Sequence, residues 1–335
     1  MGRLIEADLG LTHADIVAAR ERIAENVVRT PLVPSRELTR AAGGEVRLKL
    51  ECIQETGSFK LRGATNRALS MPDSDRARGV IAVSSGNHGR AVAAVASRLG
   101  VKALICLGEG VPRIKVEGIR SYGAEVLIAG ATYDEAAIRA HAIEREQGMI
   151  FIHPFDDPAV IAGQGTIGLE IVEDFPGVEI LVVPISGGGL IGGIALAAKS
   201  IDPDIRVIGA CMERSAAMHE SLRAGKIVGV GEEPSLADAL AGDLGDDNRY
   251  SFRICQALVD ETILVSEEEI AAAMAFMLRT HGVVVEGGGA VCVAALRAGR
   301  VPRGRRVAAV VSGRNIEPSK FLEIVRNDMP ESTTP

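Results

Sequence analysis

Short apolar runs rich in Val and Ile alternate along this chain with longer stretches where Ala, Leu and charged residues recur at helical spacing. The runs predict strands at Val46–Glu51, Val80–Ser84, Lys102–Leu107, Glu125–Ile128, Met149–Ile152, Glu179–Ile185, Arg206–Cys211, Thr262–Val265 and Arg306–Ser312. Continuous β-branched runs of this length suit strands buried on both faces and are too short for helices. Between them Lys60–Ser70, Gly89–Leu99, Pro112–Tyr122 and Glu267–His281 predict helices. The alternation implies an α/β fold of parallel sheets with helices on both faces. Four of the strands fall between Gly79 and Ile152 and read as a compact unit inserted into a larger one. The expected division is a large domain of residues 1–78 and 153–335 and a small one of 79–152. No repeat of about 20–50 residues appears, and the one biased tract is the polar tail, Pro330–Pro335.

Composition narrows the function classes. With 47% hydrophobic and 24% charged residues over 335 positions, the chain is an ordinary globular one. A net charge of −7 and a pI near 5.5 argue against nucleic acid or an anionic membrane as partner. No apolar run approaches the roughly 20 residues needed to span a bilayer, and no basic-apolar leader opens the sequence. Five cysteines form no CxxC pair and read as reduced thiols. Aromatic residues are 3% of the chain, with no Trp, which disfavours a surface that stacks sugars or bases. A cytoplasmic enzyme acting on a small molecule is expected.

Candidate chemistry gathers where predicted strands end, the edge at which open α/β sheets collect ligands. Ser58-Phe59-Lys60 follows the first run and opens a helix. A partly desolvated lysine there has a lowered pKa and suits a Schiff base with an aldehyde. Ser84-Ser85-Gly86-Asn87-His88-Gly89 offers two hydroxyls, an amide and backbone N–H groups at a helix start, an anion site fit for a carboxylate. His88 there reads as a residue that orients the loop. Ser186-Gly187-Gly188-Gly189-Leu190 is the phosphate signal, because consecutive glycines let N–H groups converge in front of a helix dipole. The same loop fits G-x-G-x-x-G through Gly187, Gly189 and Gly192, with Glu213 about 20 residues on. A nicotinamide-dependent oxidoreductase therefore stays open, although it gives the lysine segment and Ser312-Gly313-Arg314-Asn315 no task.

Taken together these residues resemble the threonine dehydratase and serine racemase group of pyridoxal-phosphate enzymes, which share the fold of tryptophan synthase β chains. The resemblance runs from Arg29-Thr30-Pro31-Leu32 to Ser312-Gly313-Arg314-Asn315. It includes Glu55 to Ala64, the Asn87 loop, His153-Pro154-Phe155-Asp156, Gly163-Gln164-Gly165-Thr166 and the triple glycine. It implies that Lys60 carries pyridoxal 5'-phosphate as a Schiff base, with Phe59 beside the ring. Asn87 would meet the cofactor's 3-oxygen, Ser186 to Leu190 its phosphate and Ser312 its ring nitrogen. Glu286 would shape the site. Ser58, Ser84, Ser85 and His88 would surround the substrate carboxylate. The implied activity is loss of water from a β-hydroxy amino acid, giving a 2-oxo acid and ammonia, in a homodimer or homotetramer. Ser85 opens a racemase branch, since a hydroxyl opposite Lys60 could return a proton, and 3-hydroxyaspartate is a further candidate substrate.

Departures from the family pattern carry expectations of their own. The positions matching a racemase cation site are Cys211, Ser215 and Ala217, so no metal is expected there. Ala237-Asp238-Ala239, Met212-Glu213-Arg214 and Asp247-Asn248-Arg249-Tyr250 resemble dehydratases associated with hydroxyectoine utilisation. Arg214 and Arg249 could meet an extra carboxylate on a substrate, but the solvated surface is the expected place for both. The sequence stops soon after Asn315, from which an absence of isoleucine feedback is expected.

Overall fold

Valine- and isoleucine-rich runs do become strands. The computed structural model describes residues 9–84, 86–111, 113–131 and 133–327. Among them, one sheet holds β1 (Leu32–Pro34), β2 (Val46–Lys49), β7 (Ile180–Pro184), β8 (Arg206–Met212), β9 (Glu261–Val265) and β10 (Val307–Val310) in the order β1-β2-β10-β7-β8-β9. A second sheet holds β3 (Val80–Val83), β4 (Ala103–Leu107), β5 (Glu125–Ile128) and β6 (Ile150–Phe151) in the order β5-β4-β3-β6. The second sheet is parallel throughout. The first is parallel except at its edge, where β1 pairs antiparallel with β2. Sequence reading missed β1 because it is three residues long and closed by prolines at 31 and 34, which a sheet tolerates at its edge. Most other strands run shorter than their apolar runs, whereas Glu125–Ile128 keeps its bounds and Arg206–Met212 and Glu261–Val265 each gain one residue. The first stops at Lys49 because Glu51–Ile53 turns into a 3₁₀ helix, and Met149–Ile152 pairs only through Ile150 and Phe151.

Helix ends follow their sequence signals. Ser266 and Glu269 form a capping box before Glu267–His281, whose bounds match the sequence reading, and Gly282 closes it in the left-handed conformation. Asp157 caps the helix Pro158–Asp174, with proline at its first position. The helix after β3 begins two residues earlier than expected, at Asn87. The helix Arg113–Arg120 is shorter than its predicted Pro112–Tyr122; Pro112, like the tail Pro330–Pro335, lies outside the described residues.

The helix Lys60–Ser70 ties the two sheets together. Leu61, Ala64 and Ala68 enter the buried cluster under β3 and β4, together with Val160. The same helix packs on Pro158–Asp174, which lies against the larger sheet's helix Gly189–Ile201. All five cysteines are free and buried. No helix among the described residues is long and apolar enough to cross a membrane.

Candidate active site

Strand order brings the predicted segments together. The last strand, β10, enters between β2 and β7, and all three run parallel and level, with Ala309 opposite both Leu48 and Val182. The chain leaving β2 toward Lys60, the chain leaving β10 at Ser312–Asn315 and the glycine loop leaving β7 therefore emerge side by side. Ser58 forms an antiparallel bridge with Gly313, and the Phe59 N–H donates to the Ser312 carbonyl at 3.0 Å.

Lys60 begins its helix directly after Phe59, whose ring centroid lies 5.3 Å from the amine. Nζ donates to the Pro154 carbonyl at 2.6 Å. The side chain is half-buried, and burial of the amine pulls its pKa down to about 8. A sizeable neutral fraction is thus present near that pH.

Across from it, β3 ends at Val83 and Ser84 is buried, its Oγ accepting from the Gly86 N–H at 3.1 Å. A side chain at Gly86 would meet nothing within 4 Å, so the loop faces open space. His88 is buried, with Nε2 2.8 Å from the Ile152 carbonyl. A carbonyl only accepts, so Nε2 carries the proton and Nδ1 is a bare acceptor. Burial drives the His88 pKa down to about 3, leaving the ring neutral and unsuited to acid–base work. Ser85 lies outside the described residues.

The glycine loop forms the start of Gly189–Ile201. Gly188 takes the left-handed conformation (φ 86°), and no side chain caps this end, so the first-turn N–H groups stay free of intrahelical partners. A Cβ at residue 187 would stand 2.3 Å from the Phe155 ring, which shows how closely that ring covers the loop. Ser186 is half-buried and Leu190 buried. Gly192 has a different reason to be glycine: a side chain there would press on Ile254 at 2.9 Å. The third glycine of the dinucleotide pattern thus serves helix packing.

Glu286 immediately precedes the helix Gly287–Arg297, makes no side-chain capping bond to it, and is 5% exposed. Its Oε1 accepts from Asn87 Nδ2 at 2.6 Å. Burial pushes its pKa up to about 7 against the opposing pull of that amide. The native state therefore holds a proton that the unfolded chain releases near 4.5, and stability falls as pH rises from about 4.5 to 7. Glu286→Gln removes this loss. In urea unfolding of the apoprotein, the variant should gain about 1–3 kcal/mol on the wild type across that window. Curves that stay parallel would refute the assignment.

Ser312 is buried and its Oγ donates to the Gly288 carbonyl at 3.2 Å. Pro154, Phe155 and Asn315 also belong to this cluster, through Lys60, Gly187 and Asn87 respectively. All three lie in segments the sequence analysis had noted, but nothing in their residue types marked their contacts. Among the described residues no group of three His, Cys, Asp or Glu side chains is placed to hold a metal. Cys211 is buried against Met212, and Ser215 Oγ donates to the Gly231 carbonyl. Arg214 and Arg249 are exposed.

The donor set fits a phosphorylated aldehyde: a desolvated amine, free N–H groups at a glycine-built helix start, and the buried Ser58 Oγ and His88 Nδ1 without partners in the protein. The chain belongs to the pyridoxal-phosphate-dependent enzyme family, whose model (PALP) matches residues 23–313. It is similar to a Sinorhizobium fredii protein provisionally named a threonine dehydratase, 49% identical over 94% of this chain and 95% of that one. An L-threonine ammonia-lyase of Thermotoga maritima is 43% identical over 96% of this chain and 80% of its own length. Among solved structures, maize serine racemase superposes with a TM-score of 0.89 at 33% identity, covering 95% of this chain and 97% of that one. The protein is a pyridoxal-phosphate-dependent lyase that acts on a small molecule. Its cofactor answers the question the glycine loop left open, in favour of pyridoxal phosphate over a nicotinamide.

Proposed function

We propose that this lyase removes water from a β-hydroxy amino acid of the L-serine and L-threonine class, releasing a 2-oxo acid and ammonia. One observation carries the reading: the Lys60 amine, on the Pro154 carbonyl and lowered to about 8 by burial, begins its helix where the Ser312–Asn315 segment and the glycine loop emerge, so that a nucleophilic amine is joined by hydroxyl and N–H donors. Bound pyridoxal phosphate supplies the electrophilic aldehyde and an electron sink for the α-carbon. Lys60, neutral in part near pH 8, serves first as nucleophile and then as base for the α-proton. The N–H groups at Gly188, Gly189 and Leu190, with Ser186, would hold the phosphate, and Phe59 and Asn87 would hold the rest of the cofactor. Ser58 and Ser84 would donate hydroxyls to the substrate carboxylate, while His88 braces the Ser84 loop by its bond to the Ile152 carbonyl.

Ser312 supports elimination over transamination. A hydroxyl is too weak an acid to protonate a ring nitrogen as a carboxylic acid would, so the chemistry Ser312 would support there is elimination. Glu286 is a shaping residue in this reading, and residues 79–152 form the small domain against the rest. The hydroxyectoine-associated subgroup and 3-hydroxyaspartate stay within the same class of substrate.

The test is a panel of L-serine, L-threonine and 3-hydroxyaspartate with 2-oxo acid, ammonia and D-isomer measured together. Equal amounts of oxo acid and ammonia from at least one substrate are expected. D-isomer formation without ammonia would replace this reading with a racemase. In that event Ser85→Ala would lose the D-isomer first.

A further inference from the structure

Asn315 belongs to the Ser312–Asn315 segment but has no part in the proposal above. Its side chain sits at a junction of three segments. Nδ2 donates to the Thr56 carbonyl at 2.8 Å and to Asn87 Oδ1 at 2.5 Å, and Oδ1 accepts from Arg90 Nη1 at 2.9 Å. All of its principal donors and acceptors are engaged, and the orientation is forced. Turned over, the amide would set its oxygen against the Thr56 carbonyl and its NH₂ against a guanidinium, two contacts between like partners. Space confirms how closely the junction is fitted. Gly57 has φ 80°, and a Cβ there would stand 2.4 Å from Asn315 Oδ1.

Asn87 inherits this orientation. Its carbonyl oxygen is taken by Asn315, so its NH₂ must point the other way, where one hydrogen meets Glu286 at 2.6 Å. The second hydrogen remains for the cleft. We infer that Asn315 is a positioning residue: it turns the Asn87 amide so that NH₂, and not C=O, faces the cofactor. A cofactor oxygen needs a donor there, and a free amide would present its acceptor for part of the time. The inference rests on the reading above that Asn87 meets the cofactor.

The experiment is a double-mutant cycle of Asn87→Ala and Asn315→Leu, the leucine keeping the volume while removing the three bonds. Three readouts are taken: kcat/KM, the visible absorbance of the bound cofactor, and the affinity of the apoprotein for added pyridoxal phosphate. Asn315→Leu alone should cost about tenfold in kcat/KM, weaken cofactor affinity and shift the absorbance as Asn87→Ala does. In the Asn87→Ala background it should add less than about twofold, since the group it positions is gone. Losses that multiply, with Asn87→Ala itself damaging, overturn the role of Asn315 and leave the site reading intact. A silent Asn87→Ala overturns the cofactor contact and the inference with it. If thermal unfolding shows that Asn315→Leu does not fold, Arg90→Met removes the group that fixes Asn315 Oδ1. Its effect must be non-additive with Asn87→Ala in the same way, or the inference fails.

Discussion

Replacing Lys60 with alanine is expected to lower turnover by about 10⁴-fold and to abolish the visible absorbance of bound cofactor. The size follows from one amine holding two roles, nucleophile toward the aldehyde and base for the α-proton, so that removal costs the upper end of what a positioned base contributes. Lys60→Arg should fail equally, because a guanidinium does not release its proton. Folding should survive, since the alanine variant gives up one hydrogen bond, to the Pro154 carbonyl, and a desolvated amine. Urea unfolding of the apoprotein reports that separately. Oxo-acid release near the wild-type rate in a well-folded Lys60→Ala protein would sink the catalytic assignment.

Arg62→Met is expected to destabilise the fold by about 3–5 kcal/mol. Arg62 is fully buried, two residues beyond Lys60, in a quartet of two cations and two anions with Lys49, Glu51 and Glu170. Its guanidinium donates to Glu51 at 2.8 Å through both Nε and Nη2 and to Glu170 at 2.6 and 2.8 Å, and Lys49 Nζ donates to Glu170 at 2.5 Å. Thr30, Thr166 and Gln54 occupy further lone pairs and donors of the quartet. The pairing holds Arg62 charged, its pKa raised by Glu51 and Glu170 against the cost of burial. Removing the arginine leaves two buried carboxylates sharing Lys49, which is why the loss exceeds that of a surface pair. Arg62→Lys should recover little, because an ammonium cannot bind two carboxylates edge-on. The midpoint of urea unfolding measures the effect, and a loss under about 1 kcal/mol would contradict it. Activity should fall with stability, since this quartet anchors the helix that begins at Lys60.

Neither the quartet nor the Asn87–Asn315 junction was visible in the sequence, although every residue in them could be read there. Arg62, Glu51 and Lys49 look like ordinary charges between apolar positions; their burial depends on Glu170, more than a hundred residues away, packing its helix onto theirs. Glu286 and Asn87 are likewise 199 residues apart. By contrast, local signals were reliable where local physics decides. Lys60–Ser70 and Glu267–His281 appear with the bounds their periodicity implies, and Glu125–Ile128 is the strand its residues indicate. Strand Leu32–Pro34 escaped notice for the converse reason: two residues between prolines carry little local strand preference, and it is the pairing with Val46–Lys49 that makes them a strand.

Sequence by itself determined the α/β class, the lysine at a helix start, the glycine-built loop before a helix and, through residues in recognisable order, the cofactor. Each depends on short-range chemistry: backbone freedom at glycine, β-branched runs, and the placement of an amine beside an aromatic ring. Tertiary structure decided which loops share a site and how their groups are turned. β10, the last strand among the described residues, enters the sheet between β2 and β7, and that insertion brings Asn315 beside Gly57 and Asn87. Hydrogen-bond partners and pKa shifts at Lys60, His88 and Glu286 follow from that convergence, because burial is a property of everything packed around a group and not of its neighbours along the chain.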